Sequence, residues 1–125
     1  MGTDVVPVIR IERLVRDHAA RLPRIFTDRE RAYCDRGGPW RRGRRYAAVF
    51  AAKEAVMKAL GTGWRSDIEL SEIETRAFNA CDEVLLSGGT RNTAAALGVV
   101  RIFVCLASTA NAGMATAVAT GPVCE

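Results

Sequence analysis

The sequence predicts an α+β protein, with helices early and an antiparallel sheet late. Three observations lead there. Residues 44–60 form an Ala-rich helical run closed by Gly61-Thr62-Gly63. The segments with strand character crowd the second half of the chain. A turn sequence, Asn111-Ala112-Gly113, joins the last two of them. At 125 residues, with 49% hydrophobic and 26% charged side chains, the chain has the size and composition of one globular domain, 1–125. It contains no repeats, linkers or low-complexity tracts. A core of this size is modest, and an oligomer would enlarge it.

The elements follow in order. Thr3–Arg10 reads as a strand, since Val5, Val6, Val8 and Ile9 are β-branched; Pro7 argues for an edge or a bulge. Ile11 to Leu22 reads as a helix, with Leu14 and Val15 on one side and Arg10, Arg13 and Arg16 on another, interrupted at Pro23. Thr27 and Glu30 form a capping box that opens a short helix to about Cys34. Arg36-Gly37-Gly38-Pro39 is a loop. The strongest helix is Arg44–Leu60, packed through Tyr46, Phe50 and Met57. Strands are expected at Asp67–Glu74, Glu83–Leu86, Val99–Leu106 and Met114–Ala119. Between them come a turn at Ser87-Gly88-Gly89 and a short helix at Thr90–Leu97.

Net charge is +4, unevenly spread. Residues 1–65 hold 15 basic and 7 acidic side chains, a net of +8; residues 66–125 hold 3 basic and 7 acidic, a net of −4. The basic half is nearly all Arg, which suits phosphates and carboxylates on a partner. No nucleic-acid motif accompanies it. No apolar run has the length of a membrane span, and the first residues lack the pattern of a signal peptide, so a cytoplasmic protein is expected. Cys34, Cys81, Cys105 and Cys124 form no CxxC pair and have only His18 to join them, which excludes an ordinary zinc site. Four free thiols are expected.

Three features could carry chemistry. Asp4 is an acid inside an apolar strand, which on composition alone reads as a strand-end residue facing water. Glu54 precedes Lys58 by four residues, the favourable order for a surface helix pair. Gly61-Thr62-Gly63 reads by itself as a helix C-cap.

Together they resemble a family. Gly2-Thr3-Asp4-Val5-Val6 followed by Arg10, the segment Ile25–Glu30, the block Phe50-Ala51-Ala52-Lys53-Glu54-Ala55-Val56-Met57-Lys58-Ala59-Leu60-Gly61-Thr62-Gly63, and then Trp64 and Asp67-Ile68-Glu69 are similar to the holo-acyl-carrier-protein synthases, the small 4′-phosphopantetheinyl transferases. The resemblance spans nearly the whole chain and is densest from Gly2 to Glu69. It implies the 4′-phosphopantetheinyl transferase fold: an antiparallel sheet against one long helix, assembled as a trimer around the late strands with each active site between two protomers. It implies magnesium held by Asp4 and Glu54 on the pyrophosphate of coenzyme A, the co-substrate. Glu54 would accept the serine proton, and Lys58 would neutralise or protonate the leaving phosphate. Lys53, Gly61, Thr62, Gly63 and Ser108 would bind coenzyme A, and Arg10 and Arg13 would meet the acidic helix of an acyl carrier protein.

The chain departs from that pattern in three places. Val49 stands where the family has Arg, Ala80-Cys81-Asp82 replaces Gly-Lys-Pro, and Val104-Cys105-Leu106-Ala107-Ser108 replaces a segment ending in Ser-His. Arg44, Arg45 and Arg65 are the nearby candidates to compensate. These departures keep two further readings open: a repurposed enzyme acting on another carrier-tethered or free intermediate, and a non-catalytic protein that binds the carrier.

Overall fold

The computed structural model describes residues 1–63, 67–76, 78 and 80–122. Strand β1 (Gly2–Pro7) runs straight into helix α1 (Val8–Asp17). The expected strand therefore stops three residues early. Pro7 makes the last strand pair, with Ala112, and the amide of Val8 already turns to the carbonyl of Asn111 at 2.8 Å. Val8, Ile11 and Val15 bury one stripe of α1 and leave its arginines outside. A 3-10 turn, Ala19–Arg21, leads to the short helix α2 (Leu22–Ile25). Pro23 sits in the first turn of α2, where its missing N–H costs nothing, so it starts a helix rather than interrupting one.

Helix α3 (Asp28–Asp35) opens with the predicted capping box: Thr27 Oγ1 accepts from the Glu30 amide at 3.2 Å, and Glu30 Oε1 accepts from the Thr27 amide at 2.8 Å. Helix α4 (Gly38–Leu60) is 23 residues, roughly 34 Å long. It begins within the expected loop because Pro39 fits its first turn, and it ends on Gly61 at φ 73°.

The late elements form the sheet. Strands β2 (Ile73–Glu74), β3 (Cys81–Glu83) and β4 (Leu85–Leu86) precede helix α5 (Gly88–Ala96), which is followed by β5 (Arg101–Ser108) and β6 (Ala112–Thr120). The main sheet has the order β1-β6-β5-β3, antiparallel throughout, and β2 pairs with β4 separately. Val6, Ile102, Val104, Leu106, Ala115 and Ala117 point from the main sheet onto α4 and make the core. Helix and sheet approach so closely that a Cβ on Gly113 would lie 2.1 Å from the Ala48 amide nitrogen, and one on Gly2 would lie 2.3 Å from the Ala55 carbonyl oxygen. Gly113 is thus a packing residue. The hairpin turn lies just before it, where the Thr109 amide donates to Ala112 O at 2.8 Å.

Two predicted strands are broken in the fold. Of Asp67–Glu74, only Ile73 and Glu74 are strand, after a 3-10 turn at Leu70–Glu72. The carbonyls of Leu70 and Ile73 turn inward to Lys53 Nζ instead of joining a ladder. The Glu72 carboxylate accepts from the amides of Gly89 and Thr90, each at 3.2 Å, so Ser87-Gly88-Gly89 is the start of α5 rather than a free turn. The Glu83–Leu86 segment splits at buried Val84 between two sheets.

Lys53 is fully buried. Its ammonium lies 2.8 Å from Glu30 Oε1, and Glu30 Oε2 accepts from the Thr75 amide and hydroxyl, both at 2.9 Å. Lys53 therefore ties α3, α4 and the segment before β2 together from within, and its expected role in binding coenzyme A is corrected: no part of it reaches a ligand surface. The cysteine expectation is corrected as well. Cys81 and Cys105 stand opposite each other on β3 and β5 and form a disulfide. Cys34 is free and buried, and burial pushes its thiol up. Cys124 lies outside the described residues, as do Trp64 and Arg65. Among the described residues no helix is long and apolar enough to cross a membrane.

Candidate active site

Alternation along β1 turns Gly2, Asp4 and Val6 toward α4 and leaves Thr3, Val5 and Pro7 outside. Asp4 is therefore not a water-facing strand end: its side chain is 13% exposed, beneath the helix. On α4, Phe50, Glu54 and Lys58 recur at intervals of four and share one face. The close contact permitted at Gly2 brings that face onto β1. Lys58 Nζ donates to Asp4 Oδ1 at 2.9 Å and to the Thr3 carbonyl at 3.0 Å. Lys58 thus pairs across to Asp4.

Glu54 lies against Asp4, within reach of a carboxyl–carboxylate hydrogen bond. Burial and then the Asp4 carboxylate push Glu54 up from 4.5 to about 7, against the pull of Arg10 and Lys58. Asp4 Oδ2 is buried and has no hydrogen-bond partner. One electron-rich oxygen is thus left waiting for a proton or a small cation. Among the described residues no group of three or more His, Cys, Asp or Glu side chains is arranged to hold a metal ion by itself. Two converging carboxylates with one unsatisfied oxygen fit magnesium, which keeps several waters and takes substrate phosphates as its other ligands.

The remaining candidates fall around this centre. At the C-terminal end of α4, Gly61 and Gly63 have positive φ, and a Cβ on either would meet nothing within 4 Å, so this backbone is open to a ligand. The Thr62 amide holds the cap by donating to Met57 O at 3.2 Å. Arg10 stacks over Phe50 at 5.7 Å. With Arg13, Leu14, His18 and Ile25 it lines a cavity of about 580 Å³ whose exposed lining is mainly apolar. Arg10 therefore borders both this cavity and the carboxylates.

Ser108 is elsewhere. It lines a cavity of about 330 Å³ with Tyr33, Arg41, Arg44 and Arg45. Arg45 donates to the Tyr33 carbonyl at 2.7 Å and lies over the Tyr33 ring at 4.2 Å, and Tyr33 stacks on Phe78 at 3.9 Å. Val49, one turn along the same helix face, is buried and apolar. The basic groups here come from the preceding turns. Sequence reasoning singled out Arg44 and Arg45 but missed Arg41 and Tyr33. The i, i+4 spacing of Arg41 and Arg45 was the available signal. Arg45 and Glu54 are nine residues apart, about 180° around the helix, so the basic cavity and the carboxylate pair lie on opposite faces of α4.

Residues 1–102 match the sequence profile of the 4'-phosphopantetheinyl transferase superfamily. The chain is 38% identical to the holo-[acyl-carrier-protein] synthase of Anaeromyxobacter sp. (strain K), over 98% of this chain and 97% of that protein. It is 43% identical to the holo-[acyl-carrier-protein] synthase of Moorella thermoacetica, over 84% of this chain and 80% of that one. Among solved structures, the holo-[acyl-carrier-protein] synthase of Neisseria meningitidis superposes with a TM-score of 0.77 at 28% identity, covering 95% of each chain. The acyl carrier protein synthase of Plasmodium yoelii with ADP bound superposes at 0.81 and 25% identity, covering 98% of this chain and 94% of that one. The sheet-on-helix fold, the placement of Asp4 against Glu54 and these similarities agree: the chain belongs to the 4'-phosphopantetheinyl transferase superfamily.

Proposed function

We propose that this protein transfers 4′-phosphopantetheine from coenzyme A to a serine hydroxyl of an acyl carrier protein. The observation that carries the reading is the convergence of Asp4, Glu54 and Lys58, fifty residues apart in sequence, beside the Arg10–Arg13 cavity. The serine oxygen attacks the phosphorus next to the pantetheine arm. The pyrophosphate bridge breaks, and 3′,5′-ADP leaves. Magnesium held by Asp4 and Glu54 would neutralise the pyrophosphate charge. Glu54, directly or through water, would accept the serine proton. Lys58, held in place by Asp4, sets a cation next to the phosphate that leaves. Arg10 and Arg13 offer charge to the acidic carrier, and the apolar lining between them receives its side chains.

Arg41, Arg44, Arg45 and Ser108 are the groups to hold the nucleotide phosphates. They replace the family's Arg and Ser-His from neighbouring positions. Their place on the far side of α4 from Glu54 favours a site shared between protomers, with one chain supplying the carboxylates and its neighbour the arginines. The outer face of the sheet exposes Val5, Phe103 and Val118, at 63%, 39% and 43%, which supports a homotrimer. A cytoplasmic place of action belongs to the same reading. The replacements at Val49, Ala80-Cys81-Asp82 and Ala107-Ser108 favour the second reading, another reaction on the same scaffold. One experiment separates the two: mass spectrometry of an apo carrier protein after incubation with this protein, coenzyme A and magnesium. A gain of phosphopantetheine supports transfer; an unmodified carrier overturns it.

A further inference from the structure

We propose that Tyr33 and Phe78 are positioning residues for anion binding in the basic cavity: their stacked rings hold the Arg45 guanidinium ready for a phosphate group. The proposal rests on the reading of that cavity as the nucleotide site.

The first support is where the cavity lies and what lines it. Burial alternates along β5, so Ser108 continues the inward row of Ile102, Val104 and Leu106. The cavity therefore lies between the end of β5 and α4, on the helix side of the sheet and away from its outer face. Its lining holds three guanidinium groups, the Tyr33 and Ser108 side chains and, among the described residues, no acid. Arg44 Nε is buried and has no hydrogen-bond partner. Three cations with a buried donor unspent suit an anion of more than one charge. A phosphate meets that need, because its several oxygens accept charge-assisted bonds from more than one arginine.

The second support is how Arg45 is held. Arginine carries its five N–H donors on a long, flexible stem. One donor, at Nη1, is spent on the Tyr33 carbonyl at 2.7 Å, and the guanidinium carbon lies 4.2 Å from the centre of the Tyr33 ring. The electron-rich face of that ring attracts the cation. These two contacts fix the head of Arg45 and leave its other donors for a ligand. Tyr33 is held in turn. Its ring stacks on Phe78, with centroids 3.9 Å apart and planes 21° apart. Beside the stack, Ala48, Val49 and Leu106 help to close a void of only about 20 Å³.

Phe78 thus bears on Tyr33, and Tyr33 bears on Arg45. Phe78 is not among the residues that line the basic cavity, so its influence on an anion there passes through Arg45. A guanidinium ordered before the ligand arrives loses less freedom on binding, and this preorganisation is gained as affinity.

The test measures the affinity of 3′,5′-ADP by calorimetry for the wild-type protein, Phe78→Leu, Arg45→Gln and the double variant, with circular dichroism verifying each fold. Arg45→Gln is expected to weaken binding at least about tenfold, from the loss of a charged donor. Phe78→Leu keeps apolar bulk but removes the stack, and should weaken binding about fivefold. In the Arg45→Gln background the same change should cost nothing further, because the group it positions is gone. Phe78→Tyr keeps the ring and should match the wild type. If the leucine variant does not fold, Phe78→Met carries the same comparison. Weakening by Phe78→Leu that persists in the Arg45→Gln background, or none in the wild type, overturns the positioning role while leaving the nucleotide site standing. Unchanged affinity in Arg45→Gln, or a wild-type protein that does not bind 3′,5′-ADP, overturns the nucleotide reading, and this proposal with it.

Discussion

Lys53→Met is the variant that separates a structural lysine from a cofactor-binding one. Methionine keeps the length of the side chain and removes its charge. Three interactions are lost: the ion pair with Glu30 at 2.8 Å and the hydrogen bonds to the carbonyls of Leu70 and Ile73. Glu30 keeps its bonds from the Thr27 amide and from Thr75, but its charge stays fully buried without a counter-ion. Breaking one side of a buried pair costs about 3–5 kcal/mol. The Ile73 carbonyl left without a donor costs about 1–3 kcal/mol, whereas the Leu70 carbonyl keeps the Ile73 amide. These penalties overlap, since both fall on one relaxing site, so the expected loss is about 4 kcal/mol. That is a large fraction of the roughly 5–15 kcal/mol that holds a domain together. The assay is urea unfolding followed by circular dichroism, with a fall in Tm of about 15 °C as a second readout. Glu30→Gln/Lys53→Met, which removes both charges, should recover more than half of the loss. A loss below about 1 kcal/mol for Lys53→Met, accompanied by weakened coenzyme A binding, would refute the reasoning and return Lys53 to the nucleotide.

Glu54 is protonated more readily in the folded protein than in the unfolded chain, because burial and Asp4 oppose its charge. The stability it contributes is present below about 4.5 and is lost as pH rises through about 7; Asp4→Asn should flatten this dependence, as read from urea midpoints at pH 5 and pH 8. Glu54→Ala and Arg45→Ala should each be inactive alone, whereas co-refolded in equal amounts they should regain about a quarter of wild-type activity, the share of sites that join two intact halves at random; no recovery would place both halves in one protomer. Gly113→Ala puts a Cβ against the backbone of Ala48 and should cost roughly 1–3 kcal/mol, measured by the same unfolding assay. Reversing charge with Arg10→Glu/Arg13→Glu should weaken carrier binding and flatten its salt dependence; unchanged affinity would remove α1 from the docking surface.

Local sequence determined the parts whose causes are local. The capping box at Thr27 and Glu30, the Ala-rich body of α4 with its Gly61 cap, and the β5–β6 hairpin needed only neighbours a few residues away, and each was legible there. The order and spacing of Gly2–Val6 and Phe50–Gly63 were enough to recognise the family. Other features depended on partners far along the chain. Nothing near Lys53 marks it as buried. Its partner Glu30 lies on another helix, and the carbonyls it binds turn away from the strand that their own residues favour. Gly113 looked like a turn residue because its true neighbour, the backbone of Ala48, is sixty-five positions away. Cys81 and Cys105 became a pair through a strand register that spacing alone does not reveal. Asp4 shows the division most plainly. Its identity was visible in β1, but its chemistry comes from the face on which strand alternation puts it and from the glycine that lets α4 settle there. Carboxylate repulsion, burial and an unsatisfied oxygen act over a few ångströms, and only the tertiary structure brings residues 4, 54 and 58 within that range.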